Sequence, residues 1–247
     1  ALAEIETCHH RFNRFAQGSL IARIRRAPAG GTIRIDADTF DLFADALAVH
    51  EASGGAFDIA VAPLVDALVY ANRGDRPDRP PPGVDALALD TGARTLRVVR
   101  PGPSIDLGAI AKGHALDLAS RVLRENGVEA ALLHGGTSSV VAIGAPPAAA
   151  AWRIGIAGAP DLAPLELCDA ALSVSTAHGD AGDDSTLTGH IVDPRTGVLA
   201  AGRRGALVIG PMARLADAWA TALVVLGERP ATLGPDWTTR FFDLDPV

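Results

Sequence analysis

Lysine is all but missing from this chain of 247 residues: its 22 basic side chains include a single ammonium, Lys112, and the rest are arginines. A guanidinium asks for a planar, two-toothed partner, whereas an ammonium on a flexible stem serves a phosphate or a ring carbonyl as a point donor. The one position that keeps the compact cation is therefore the first place to look for ligand contact, although a leftover surface charge would look the same on composition alone. Cysteine is nearly as scarce. Cys8 and Cys168 stand far apart with no Cys-x-x-Cys pair, which excludes a disulfide framework and a zinc knuckle. A basic excess is absent too: the formal net charge is -7, so the electrostatic footprint of a nucleic-acid binder is missing. No apolar run reaches the roughly 18 residues a membrane-spanning helix needs, and no charged-then-apolar leader opens the chain. As it stands the sequence reads as cytoplasmic, and because Ala1 already falls in a helical pattern, a leader and a first strand are expected to lie outside it.

What is present is enough for a core. With 48% hydrophobic and 21% charged residues the chain is too apolar to be disordered. Leu2, Ile5, Phe12 and Phe15 predict a helix over 2–16. Asp38 is placed to cap a helix carrying Phe40, Phe43 and Leu47, with Gly54-Gly55 as its stop. Pro77, Pro80, Pro81 and Pro82 make 74–83 a surface loop. A strand over 95–100 leads into Ile105-Asp106-Leu107-Gly108, and a helix from Ala109 to Asn126 buries Leu116, Leu118, Val122 and Leu123 before Gly127. Lys112 lies in its first turn, where unpaired amide hydrogens and the helix dipole favour an anionic group. Short apolar runs at 128–133, 138–143, 152–156, 165–175 and 205–209 read as strands, a last helix runs from Met212 to Leu226, and Phe241-Phe242 reads as a final strand. Helices and strands mix without strict alternation and no linker divides them. The expectation is a single α+β domain over 1–247, with mixed, largely antiparallel sheets and flanking helices.

Familiar nucleotide signatures fail. Gly108 to Gly113 has the spacing of a phosphate loop, but His114 stands where the second glycine should be followed by Lys-Ser/Thr chemistry. Gly135-Gly136 lacks the further glycines of a dinucleotide fingerprint, and Gly136-Thr137-Ser138-Ser139-Val140 lacks the closing glycine of a nucleophile elbow. Asp217 and Thr221, one helical turn apart, stack on one face, and a carboxylate beside a hydroxyl suits a hard cation such as Mg²⁺. The plainer alternative is a solvated aspartate and a threonine bonded back to the carbonyl four residues earlier. An aspartate on so apolar a helix, between Leu215 and Trp219, needs a partner if it is buried. His190-Ile-Val-Asp193-Pro194-Arg195-Thr196-Gly197 enters as a strand and closes as a turn, and alone it is an ordinary hairpin with a core histidine. Gly55-Ala-Phe57-Asp58 with Pro63-Leu64 is likewise an ordinary junction by itself.

Taken in order, Gly55-Ala-Phe57-Asp58 with Pro63-Leu64, Asp106 to Gly113, Gly135-Gly136, His190 to Gly197 and Ala216 to Ala222 resemble the ApbE-type FAD:protein FMN transferases. The resemblance covers residues 10 to 227. It implies a flavin nucleotide site between the sheets and helices, FAD as substrate, Mg²⁺ as cofactor, and transfer of FMN to a threonine or serine hydroxyl of an acceptor flavoprotein with release of AMP. Residue by residue, Lys112 matches a lysine that contacts FAD, and Ala109 a position whose backbone carbonyl ligates the metal. Asp217 and Thr221 match the metal ligands of the last helix. Phe57, Asp58, His190, Arg195 and Thr196 match residues of the flavin site, and His190 is the natural candidate for general base because an imidazole titrates near neutrality. Many members of the family work in the periplasm, at the outer face of the bacterial inner membrane. The chain departs from the pattern in four places: the Met-Gly-Thr strand is absent, Arg25 stands near the usual asparagine, His134-Gly-Gly-Thr137 replaces an Asn-x-Gly-Gly-Asp run, and Thr176-Ala-His178-Gly179 replaces Thr-Ser-Gly. Two rival readings keep the flavin: a protein that holds FAD without turnover, and a metal-dependent pyrophosphatase that yields FMN and AMP.

Overall fold

The computed structural model describes residues 1–70, 83–177, 190–200 and 204–244. In chain order its elements begin with helices α1 (Leu2–Phe12) and α2 (Leu20–Arg26), strand β1 (Thr32–Arg34), helix α3 (Ala37–Ala52) and a short α4 (Ala62–Val65) that widens into a π turn over Asp66–Tyr70. Strands β2 (Leu87–Asp90) and β3 (Thr95–Val98), helix α5 (Ala111–Glu125) and strands β4 (Ala131–Gly135) and β5 (Ser139–Ile143) follow. Next come β6 (Trp152–Ile154), β7 (Leu165–Leu167), β8 (Ala171–Thr176), β9 (Val192–Asp193), β10 (Val198–Leu199), β11 (Arg204–Gly210), helix α6 (Ala213–Leu226) and β12 (Thr238–Asp243). Every strand pair is antiparallel. The α+β expectation holds. Among the described residues no helix is long and apolar enough to cross a membrane.

A five-stranded sheet in the order β12-β11-β8-β5-β4 is the floor on which the candidate site is built. Alternation along its central strands sorts the side chains by period two. Val140, Ala142, Leu172 and Leu207 enter a small core with Leu165 and Leu167 of the β6-β7 ribbon. The intervening positions Val141 and Ala171 pack with Leu116 and Ala213 under α5 and α6. On that helix-covered face the pattern is broken by Ser139 and Ser173, both fully buried and paired in register across β5 and β8. A second sheet, β1-β3-β2, meets the main core formed by α1, α2, α3 and α6.

Helices α5 and α6 pack against each other and against the large sheet, and their close approach depends on Gly113. A Cβ there would lie 2.2 Å from the Ala213 carbonyl oxygen, inside any van der Waals contact, so only glycine lets the two backbones meet. Asp117 of α5 then accepts hydrogen bonds from the backbone N–H of Ala213 at 2.8 Å and Arg214 at 3.1 Å. One side chain of α5 thus caps the first turn of α6, which has no side-chain cap of its own.

Several boundaries move. The first helix stops at Phe12, and Asn13 is extended. The cap of α3 is Asp36, whose carboxylate accepts from Thr39 N–H at 2.8 Å. Asp38, expected to be the cap, sits in the first turn and pairs with Arg121 at 2.8 Å. The run 165–175 is two strands, split by Asp169 with φ 45. The expected proline loop at 74–83 falls, up to residue 82, outside the described residues. Helix α2 and strands β1 and β2 were not expected; α2 announces itself only through its cap, Ser19 Oγ accepting from Ala22 N–H at 3.1 Å.

Candidate functional site

Asp217 is the centre of the site. It is 3% exposed, and its two oxygens are used differently. Oδ1 accepts from the hydroxyls of Ser139 and Ser173, each at 2.7 Å. Oδ2 accepts from the Gly113 backbone N–H at 2.9 Å and faces Lys112 Nζ at 3.6 Å. The solvated aspartate considered from the sequence is therefore not what the fold holds. Gly113 serves twice, since the absence of a Cβ brings α6 close and its first-turn N–H, an orphan by position, is satisfied by that aspartate.

Lys112 does stand in the first turn of its helix, which begins two residues later than expected, at Ala111. Its Nζ donates to the Gly108 carbonyl at 2.9 Å while facing Asp217, and nearly half its side chain is exposed. Three residues before Lys112 stands Ala109, whose carbonyl receives no hydrogen bond from the described residues. Thr221 Oγ1 donates back to the Asp217 carbonyl at 3.3 Å and shares a 3.3 Å contact with Ser175 Oγ. That back-bond is the commonplace helix arrangement weighed for threonine, whereas Asp217 is bound into the sheet. An ammonium lodged between a carbonyl and a buried carboxylate marks a spot whose field attracts a cation. With the Thr221 hydroxyl one turn along α6 and the Ala109 carbonyl, unpaired among the described residues, the candidate donor set is all oxygen, which suits Mg²⁺.

The second half of the site is built on the loop after α3. Phe57 is 3% exposed and packs in the main core, so its ring faces the core and the loop offers a ligand its backbone and Asp58. The Phe57 carbonyl lies 2.9 Å from His50 Nδ1, and Asp58 Oδ2 lies 3.6 Å from the same nitrogen. Burial pushes the Asp58 carboxyl above the usual carboxylate range, opposed by the backbone N–H of Ala60 and by His50. The hairpin β9-β10 reaches this loop through Arg195. A Cβ on Gly55 would stand 3.6 Å from Arg195 Cγ and 3.7 Å from His50 Cε1. Arg195 also clamps Asp193 with its Nε at 3.0 Å and a terminal nitrogen at 2.9 Å. Partial burial works against ionisation of Asp193, yet these bonds hold it below the usual range. His190 and Thr196 are both exposed, one before β9 and the other in the turn.

The two halves are joined at Asp106. Its backbone N–H donates to the Ile59 carbonyl at 2.7 Å, and its side chain accepts from Gly108 N–H at 2.8 Å and meets Arg14 Nε at 3.1 Å. The segments carrying Asp58, Lys112, Asp217 and Arg195 are thereby gathered in one region, although no direct contact joins His190 or Thr196 to Lys112 or Asp217 among the described residues. Sequence reasoning missed Ser139, Ser173 and His50. The serines had a signal: Ser139 opens the otherwise apolar run of β5, and Ser173 interrupts the apolar start of β8.

A model of the ApbE family matches residues 1–233. An FAD:protein FMN transferase of Rhodobacter capsulatus is 31% identical over 251 residues, covering 92% of this chain and 46% of the relative. Its namesake from Salmonella typhimurium is 27% identical and covers 77% of this chain and 60% of the relative. The chain thus spans about half the length of these curated relatives. The ApbE protein of Thermotoga maritima superposes with a TM-score of 0.78 at 26% identity, over 92% of this chain and 77% of that one. With the family model covering nearly the whole chain, and the segments that resemble the family folded around Asp106, Gly113 and Asp217, this protein belongs to the ApbE family.

Proposed function

We propose that this chain transfers the FMN half of FAD to a threonine or serine hydroxyl of an acceptor flavoprotein and releases AMP. The observation that carries the reading is the buried Asp217 carboxylate beside the lone lysine, in a member of a family whose curated relatives bear the transferase name. Ala109, Asp217 and Thr221 would hold Mg²⁺, which when bound supplies charge neutralisation at a pyrophosphate. Lys112, at the positive end of α5, binds phosphate oxygens and leaves its Gly108 bond to do so. Asp58, the backbone at Phe57, Arg195 and Thr196 hold the flavin. The acceptor oxygen attacks the FMN-side phosphorus; the bond to the AMP phosphate breaks, a phosphodiester forms, and the hydroxyl proton passes to His190.

Incubation with FAD, Mg²⁺ and an acceptor domain bearing an exposed threonine is expected to give an adduct of FMN mass on that hydroxyl and one AMP per adduct, both abolished by chelation. His190→Ala is expected to slow transfer about 100-fold while FAD still binds. AMP with free FMN and no adduct, read by mass spectrometry across several acceptors, would establish the pyrophosphatase reading, and no AMP at all the simple binder.

Lys112→Ala is expected to weaken FAD binding roughly 10- to 100-fold, as loss of a charge-assisted contact of about 1.5–3 kcal/mol requires. The exposed Arg153→Ala serves as the control. Equal affinities for the two variants in a flavin-fluorescence titration would remove Lys112 from the site.

A further inference from the structure

Two serines in the floor of the large sheet have no role in the reading above, and their placement is unusual. Ser139 and Ser173 are both at 0% exposure and sit opposite each other in the β5-β8 register; Ser139 Oγ also lies 3.3 Å from Ser138 Oγ. A hydroxyl so buried costs free energy unless it is bonded. Both of these spend their proton on one atom, Asp217 Oδ1, at 2.7 Å each. A second bond from Ser173, to the Ser138 carbonyl at 3.4 Å, is far longer and weaker.

The consequence for the carboxylate is directional. An ionised carboxylate has about four lone-pair sites on two oxygens. Two hydroxyls occupy Oδ1 from the sheet below, and the Gly113 N–H takes one site on Oδ2 at 2.9 Å. The site left lies on Oδ2, the oxygen that faces Lys112 at 3.6 Å. Three fixed donors on three different elements, β5, β8 and α5, therefore set the plane of the carboxylate and leave one outward lone pair.

We infer that Ser139 and Ser173 are positioning residues, which hold Asp217 as a ligand presenting one oxygen to a divalent cation and keep it from chelating through both. The inference rests on Asp217 being the metal ligand proposed above. Outer partners of metal ligands commonly tune affinity by about 10- to 100-fold without touching the metal.

The test uses the full chain with Mn²⁺ alone as probe, its free concentration read by electron paramagnetic resonance, and no turnover. Ser139→Ala and Ser173→Ala are each expected to weaken Mn²⁺ binding about 10-fold. Ser139→Thr and Ser173→Thr, which keep the hydroxyl in a strand suited to β-branched side chains, are expected to recover most of the loss. Ser120→Ala removes a buried hydroxyl bonded to the Asp117 carbonyl, and is expected to leave Mn²⁺ affinity unchanged, which separates a positioning role from general loosening of the fold. If Asp217→Ala loses Mn²⁺ while both serine-to-alanine variants bind it like the parent, the inference falls and the metal site stands. If the parent itself binds no Mn²⁺, the metal reading falls and takes the inference with it.

Discussion

Replacing Asp217 by alanine is expected to eliminate Mn²⁺ binding and metal-dependent AMP release, and to lower the melting temperature as well. The first effect follows from the site's charge. In the proposed metal site Ala109 would contribute a carbonyl and Thr221 a hydroxyl, so one carboxylate would supply the negative charge that holds a divalent cation. The second effect follows from burial. Alanine strips the acceptor from Ser139, Ser173 and the Gly113 N–H at once. An orphaned buried donor costs at least about 1 kcal/mol, so the three together cost on the order of 3 kcal/mol, or roughly 6–12 °C in a domain of this size. Asparagine is no rescue: if its carbonyl oxygen stays with the serines, its amide nitrogen confronts the Gly113 N–H and the Lys112 ammonium, donor against donor. A melting curve and a Mn²⁺ titration on Asp217→Ala check both halves. Unchanged metal affinity in a folded variant would overturn the assignment, and an unchanged melting temperature would overturn the network.

The same residue shows how far sequence can carry such a site. Asp217 and Thr221 were legible as a pair because helical spacing is local, and α6 was legible because its apolar stripe and Gly227 are local. That Asp217 would face a sheet was not. Its partners Ser139 and Ser173 are 78 and 44 residues away in sequence, and only the register of β5 against β8 brings them together. Lys112 was singled out by composition and by its place in a helix's first turn, yet the reason Gly113 must follow it lies in the backbone of Ala213, about a hundred positions on. Phe57 shows a different limit. Its neighbours in the Gly55–Asp58 segment do line the loop that Arg195 covers, but its ring turns into the core, because a large apolar side chain is worth more out of water. The short hairpin β9-β10 was read as a strand and turn, which is what it is, while its contact with Gly55 depends on tertiary packing that no local pattern encodes.

The chain is also expected to lose stability as pH falls from about 6.5 towards 5, and to do so through one histidine. His114, next to Gly113, is 2% exposed; its Nδ1 has no hydrogen-bond partner among the described residues, and its ring meets Phe12 edge-on with centroids 5.8 Å apart. Burial, with the Arg214 guanidinium adding to it and Asp38 and Asp36 opposing, pulls its pKa from 6.5 to about 4. A base whose folded pKa is depressed favours the fold when neutral. Its contribution is fully present above the unfolded value near 6.5, is lost progressively below it, and changes no further below about 4, where both states are protonated. The whole span amounts to about 3 kcal/mol, of which about 2 kcal/mol is gone by pH 5. Other groups contribute as well. The depressed carboxylates Asp36, Asp38, Asp169 and Asp193 lose their contributions at lower pH, beneath the ordinary value of 3.8. Asp58 and Asp117, whose pKa values are raised by burial, act with the opposite sign, favouring the fold as they protonate. His114→Phe suits the site by shape, since the neighbour is Phe12, and it removes both the unpartnered nitrogen and the titration. Urea unfolding of the two proteins at pH 7, 6 and 5 should therefore show the parent's free energy falling relative to the variant's, by about 2 kcal/mol at pH 5. Parallel pH profiles would mean that protonated His114 finds in the folded chain an acceptor that its present surroundings do not offer.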